Sequence, residues 1–153
     1  MNRVAFAFAL LLCACTPGAM PAQGGSSPGG GPVTTIDVNL TQHAPTQTPQ
    51  GTSGGYAPAV TTVPVGSAIR FNNSDGFAHT ATLIPNASSF PSGSVFDASA
   101  LTQKGSTISG SWTSGTLSPG ASSQILTVDR AGTYLYGCFF HYGAPMRGVI
   151  VAQ

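Results

Sequence analysis

The sequence predicts an all-β fold, a sandwich or barrel of short strands. Three observations carry that expectation. Short alternating runs rich in β-branched residues recur along the chain between turn residues. Twenty Gly and twelve Pro punctuate the 153 residues, and such residues mark turns rather than element interiors. No long stretch has the 3.6-residue period of an amphipathic helix, and no internal repeat is visible. Several short strands at this spacing suit a sandwich or barrel.

The first residues precede that fold. Asn2 and Arg3 make a short positive start, and Val4 to Leu12 (VAFAFALLL) is continuously apolar. A bilayer span needs about 20 apolar residues, so this run suits the core of a signal peptide at residues 1–14. The following LCAC, Leu12 to Cys15, resembles the lipobox of bacterial lipoproteins. The resemblance implies that Cys15 is lipidated and becomes the mature N-terminus. An ordinary secretory signal cut nearby is the alternative. Either reading exports the protein, to the periplasm or cell envelope; the first holds it to the membrane by a lipid anchor only. Thr16 to Pro32 contains PAQGGSSPGGGP and has almost nothing to bury. Residues 15–32 therefore read as the lipidated Cys and a flexible tether, and 33–153 as the folded domain.

Within that domain VTTIDVNL, Val33 to Leu40, alternates and reads as a strand. Gln42 to Tyr56 is polar, with Pro and Gly, and reads as a loop. Ala59 to Pro64 is the next strand, with a turn at Gly66. SAIRFNN (Ser67 to Asn73) and HTATLI (His79 to Ile84) both alternate. Pro85 to Gly110 gives the weakest pattern, either irregular loop or a short helix near Ala98 to Gln103. SWTSGTL, Ser111 to Leu117, reads as a strand, Ser118-Pro119-Gly120 as a turn, and Ser122 to Val128 as a strand. After a turn at Ala131-Gly132, TYLYGCF and RGVIVAQ form the last two strands.

Only 6% of residues are charged and the formal net charge is +1, against about 25% charged in average domains. No basic stripe exists, so nothing points to nucleic acid.

The chemistry is concentrated in YGCFFHYGAPMRG, Tyr136 to Gly148. It places Cys138, His141 and Met146 on one loop between strands. A thiolate, an imidazole and a thioether there can face one centre, and soft sulfur with imidazole suits copper. A His2Cys set with a long axial Met is the blue-copper electron-transfer pattern. Such a set needs a second His. His43 lies in a polar loop with no flanking strand pattern, whereas His79 opens an alternating run, so His79 is the better candidate. Zinc would use four strong ligands, and Met is not one of its usual ones. Met146 as core filler, and Cys138 as a buried small hydrophobe, are the bland alternatives.

Three segments resemble the cupredoxins, most closely the plastocyanin-like ones. IRFNNSDGFAHT is similar to the strand and loop that deliver the family's first His. SGTLSPGASSQILTVDRAGTYLYGCFFH is similar to its hairpin leading to the Cys. CFFHYGAPM has the Cys-x2-His-x4-Met spacing of plastocyanins. The resemblance covers Val33 to Gln153, loosely across Gln42 to Tyr56 and Pro85 to Gly110. Gly137 stands where the family often has an aromatic.

The resemblance implies a cupredoxin-like Greek-key sandwich or barrel with one type 1 copper per chain. It implies His79, Cys138 and His141 as equatorial ligands and Met146 as the weak axial one. The function it implies is one-electron transfer by Cu(I)/Cu(II) cycling, not an enzyme activity. Redox partner proteins, donor and acceptor, would dock near His141 on a neutral collar of Ala78, Gly143, Ala144 and Pro145. Phe139, Phe140 and Pro145 would keep water from the sulfur. Copper delivery, storage or resistance is the alternative function. A metal-free adhesion-type sandwich on a lipid anchor is a third, and it leaves the clustered Cys, His and Met unexplained.

Overall fold

The computed structural model describes residues 31–153. The signal segment, Cys15 and the tether up to residue 30 lie outside the described residues. Two four-stranded sheets make a sandwich. One runs β4 (Tyr56–Ala57), β1 (Val33–Val38), β6 (Ala68–Asn73), β8 (Leu126–Thr127). The other runs β5 (Val60–Val63), β10 (Arg147–Ala152), β9 (Gly132–Gly137), β7 (Thr82–Ile84). Strands β2 (Thr46–Thr48) and β3 (Gly51–Ser53) form a separate hairpin. The all-β sandwich expected from the sequence is the fold. Among the described residues no helix is long and apolar enough to cross a membrane.

Alternation sorts side chains between core and solvent. In β6, Ile69 and Phe71 are buried while Arg70 is exposed; in β5, Thr61 and Val63 are buried and Val60 and Thr62 exposed. Each fully buried Ile or Phe contributes about 1.5–3 kcal/mol relative to exposure. Between the sheets lies an aromatic cluster. Tyr136 meets Tyr56 edge-on at 4.8 Å and Phe71 at 5.1 Å, and Trp112 stacks on Phe71 at 5.7 Å. Cys138 and Met146 belong to this same core, which therefore ends at the metal-ligating candidates.

The second sheet is buried on both faces. On its outer side Ile84, Leu135, Tyr142 and Val149 form another apolar cluster, packed by Ala87, Phe90 and Phe96. Those three come from the region of weakest sequence pattern. Its irregular backbone covers a sheet face, so its apolar residues follow no period. The region's helical part is a single 3-10 turn, Ala98–Leu101, capped where Asp97 Oδ1 accepts from Ser99 N at 2.8 Å.

Some sequence expectations differ from the structure. Gln42 to Tyr56 is not a loop throughout: it contains the β2–β3 hairpin and the start of β4. The strand β2 is largely exposed, so no apolar alternation announces it. Ser111 to Leu117 is not a continuous strand. It makes isolated bridges, Thr113 with Thr82 and Lys104, and Leu117 with His79. Side-chain hydroxyls take over the backbone's bonding there: Thr113 Oγ1 donates to Ala100 O, and Ser114 Oγ accepts from Ala81 N. Gly115 then breaks the extended run at φ +66°. The run 79–84 shortens to β7, and 122–128 to β8, where Ser123 Oγ accepts from Phe71 N in place of a ladder carbonyl.

Gly148 sits directly opposite Tyr136 in the β9–β10 ladder, and a Cβ there would run into the Tyr136 ring and Oη. The Tyr136 hydroxyl is itself buried without a hydrogen-bond partner among the described residues. Gly148→Ala is expected to cost about 1–3 kcal/mol through overpacking. Tyr136→Phe should leave stability equal or higher, because it removes an unsatisfied polar atom. Urea midpoints of the metal-free variants check this, and an unshifted Gly148→Ala midpoint would contradict it.

Candidate metal centre

One strand pair aims two of the candidate side chains. Gly137, the last residue of β9, pairs with Arg147, the first of β10. The ladder continues one step beyond, where Cys138 N donates to Met146 O at 3.0 Å. The residues between close a tight loop in which Ala144 N and Met146 N both donate to His141 O, at 2.9 and 3.2 Å. Gly137 leaves room for this loop, since a Cβ there would lie 2.9 Å from the Tyr142 ring.

His79 arrives from the opposite sheet. The chain leaves β6 at Asn73, whose Nδ2 donates to Phe77 O and Leu117 O at 2.7 and 2.8 Å and whose Oδ1 accepts from Asp75 N at 3.0 Å. A two-way backbone bridge with Leu117 then fixes His79, with N–O distances of 3.1 and 2.7 Å. Its neighbour Thr80 joins the two loops: Thr80 N donates to Cys138 Sγ at 3.4 Å, and Thr80 Oγ1 accepts from Phe139 N at 2.9 Å.

The result is a compact set of donors. His79 Nδ1 and His141 Nδ1 are 3.2 Å apart, and each is 3.8 Å from Cys138 Sγ. A triangle with these edges has its circumcentre about 2.1 Å from every corner, and metal bonds to imidazole nitrogen and thiolate sulfur run at about 2.0–2.3 Å. The three atoms thus already frame a point at bonding distance from all of them. His79 and Cys138 are both 0% exposed, while His141 is half-buried.

Met146 is also fully buried, and its thioether lies against Gly55: a Cβ on Gly55 would sit 2.6 Å from Met146 Cγ and 3.3 Å from Sδ. Gly55 has φ +70°, a conformation glycine adopts without strain. The adjacent Gly54 exchanges N–H···O bonds of 3.1 Å with Arg147 in both directions. His43 is not with the others. Its Nε2 lies 2.6 Å from Asp37 Oδ2.

Sequence reasoning missed three contributors. Gly54-Gly55 walls the Met146 side, Thr80 bonds the sulfur, and Asp75 holds the far nitrogen of His79 at 3.1 Å. None of the three carries a sequence signal that sets it apart from ordinary turn or strand residues. Phe140, expected to shield the sulfur, is 44% exposed; the buried Thr80 lies against the sulfur through its N–H.

Electrostatics suit a soft cation. Burial pushes the Cys138 thiol up, opposed by N–H groups led by that of Thr80; binding a metal displaces the proton. Burial, and then the nearby His79, push the His141 imidazole down toward its neutral, ligating form. Burial opposes ionisation of Asp75, but hydrogen bonds from Thr41, His79, Gly76 and Leu40 outweigh it and hold the carboxyl at about 2.

A cysteine sulfur grouped with two imidazole nitrogens at the end of a β-sandwich suits copper, and residues 46–153 match the copper-binding proteins of the plastocyanin/azurin family. The chain belongs to that family, and its fold is the Greek-key cupredoxin sandwich. No curated protein sequence matches the chain. Among solved structures it is similar to a purple cupredoxin from Nitrosopumilus maritimus (20% identity, 78% of this chain and 99% of that one, TM-score 0.49). It is also similar to the oxidized plastocyanin of Dryopteris crassirhizoma (17% identity, 78% and 100%, TM-score 0.47) and to a copper(I) amicyanin variant (15% identity, 79% and 82%, TM-score 0.48).

The arrangement separates the roles of three side chains. With Cu(II), His79→Ala should lose the visible band, Met146→Leu should keep it and raise the reduction potential, and His43→Ala should change neither spectrum nor copper stoichiometry. Absorption, metal analysis and voltammetry check all three; a His43→Ala variant that loses copper would show the wrong histidine assigned.

Proposed function

We propose that this chain is a blue copper electron-transfer protein working outside the cytoplasm, with one type 1 copper held by His79, Cys138, His141 and Met146. The observation that carries the reading is the preformed triangle of two Nδ1 atoms and one Sγ. Family membership supports copper as the metal. Bound copper supplies the Cu(I)/Cu(II) couple; the chain supplies everything else. His79 and His141 offer nitrogen, Cys138 a thiolate, and Met146 a soft thioether that favours Cu(I) over a harder ligand. The Thr80 N–H offsets part of the charge on Cys138 Sγ. Because the donors stand at bonding distance beforehand, neither oxidation state requires much rearrangement.

His141, half-buried on its loop, is the exit for the electron. Around it Gly143 and Ala144 are exposed and Ala78 and Pro145 half-buried. That neutral collar fits the small interfaces of weak redox encounters, and few charges mean little steering. Delivery or storage of copper is less well supported, since such sites favour clustered Met, and the three Met residues here stand apart.

The test is colour and retention. Wild-type protein with Cu(II) should show an intense thiolate-to-copper band, absent in Cys138→Ser, and should keep its copper through repeated reduction and reoxidation. A colourless wild type sinks the copper reading. Rapid loss of Cu(I) to a chelator favours delivery instead.

The export reading adds a lipid on Cys15, supported by the LCAC segment. Mass spectrometry of the membrane-bound protein should find acyl mass that Cys15→Ala abolishes. A wholly soluble wild type beginning beyond Cys15 would refute the anchor.

A further inference from the structure

We infer that Asp75 is a positioning residue for the metal centre: its carboxylate fixes the proton of His79 on Nε2, which presents the bare Nδ1 to Cys138 and His141, and its negative charge holds the reduction potential down. The inference rests on the copper reading above. It begins from one contact, Asp75 Oδ2 to His79 Nε2 at 3.1 Å, where the Asp75 side chain is 3% exposed and that of His79 0%.

Three further donors surround the same carboxylate. Leu40 N reaches Oδ2 at 2.8 Å; Thr41 Oγ1 and Gly76 N reach Oδ1, each at 2.7 Å. Every partner of Asp75 is thus a donor, the pattern an ionised carboxylate requires. A carboxylate only accepts, so Nε2 carries a proton, and in the neutral imidazole that leaves the lone pair on Nδ1. Nδ1 is the atom 3.8 Å from Cys138 Sγ and 3.2 Å from His141 Nδ1. A carboxylate behind a ligating histidine fixes the tautomer and ring orientation and makes the ring more basic. It also lies one imidazole away from the metal position, with little water to screen it. A fixed negative charge there favours the more positive oxidation state.

The carboxylate has a second consequence for orientation. Leu40 and Thr41 follow β1, so Asp75 ties His79 to the first sheet as well as to its own loop. The His79 ring is thus backed by a carboxylate pinned between the loops that follow β1 and β6, two neighbours in the first sheet, whereas the His141 ring has no such carboxylate behind it among the described hydrogen bonds.

Asp75→Asn keeps the shape and can still accept from Nε2, but removes the charge. The experiment measures the potential of wild type and Asp75→Asn by voltammetry on copper-loaded protein, and the tautomer of His79 by nitrogen NMR on metal-free wild type. The expected result is a potential higher by a factor of ten or more in the one-electron equilibrium, about 59 mV or more, with the blue band kept. The metal-free wild type should show a protonated Nε2 and an unprotonated Nδ1. An unchanged potential in a folded, blue Asp75→Asn overturns the charge effect. A wild-type His79 protonated on Nδ1 overturns the positioning role, even if Asp75→Asn does not fold. A wild type that takes up no copper but has the Nε2–H tautomer would sink the copper reading and leave the Asp75–His79 pairing standing.

Discussion

The antiparallel ladder between β9 and β10 is the constraint on which the rest of the site depends. Its pairing of Gly137 with Arg147, continued by the Cys138–Met146 backbone bond, decides where the thiol and the thioether stand. A one-residue slip would turn every side chain of the shifted strand to the other face. The slip is blocked from both sides. Ile150 and Tyr136 are locked between the sheets, and Val149 and Leu135 are locked under the outer apolar cover. The first turn of the loop is braced as well. The Arg147 guanidinium lies 4.4 Å from the Tyr142 ring centre, its Nε donates to Tyr142 O at 3.1 Å, and Tyr142 Oη donates to Pro91 O at 2.9 Å.

The opposite sheet supplies the other half. His79 and Cys138 come from remote stretches, and Thr80 is the joint between them. Its N–H meets the sulfur, its hydroxyl accepts from Phe139, and its carbonyl accepts the Tyr56 hydroxyl from the aromatic cluster below. The donor triangle therefore exists only when both sheets are packed on the shared core. Local propensity in either loop could not create it. The aromatic cluster is thus the floor of the site as well as the core of the fold, and edge-on pairs of this kind add about 0.5–1.5 kcal/mol each beyond burial.

What could be read from the sequence follows from the same physics. Strands β1 and β6 face one core, so burial writes an alternating pattern into them, while β9 and β10 are covered on both faces and read as nearly continuous apolar runs. The β2–β3 hairpin and the 111–117 segment rest on backbone and hydroxyl bonding, which leaves no such pattern. Cys138, His141 and Met146 are legible because one short loop holds them, and three sulfur and nitrogen donors in nine residues are conspicuous in a chain with three Cys, three His and three Met. His79 is legible from the alternating run it opens, although the strand itself starts only at Thr82. Asp75 is not. An Asp between Ser74 and Gly76 reads as an ordinary turn residue, and only the fold shows that its side chain turns inward beneath His79. Gly55 is likewise silent until the Met146 side chain is seen to need the space of a missing Cβ.

The uneven burial of the three donors bears on how an ion could ever arrive or leave. Two corners of the triangle are sealed and only the His141 corner borders solvent. A metal has one doorway, and passing it means swinging His141 aside or briefly unfastening the Ala144 and Met146 bonds to its carbonyl. Both routes are local openings, whose free energies lie between zero and that of global unfolding. Residence time at this site is therefore set by the stiffness of a six-residue loop, His141 to Met146, and not by affinity alone. The same hinge that guards the exit lies beside the surface proposed for partners, so a protein seated there would slow the ion's escape while leaving the electron free to pass.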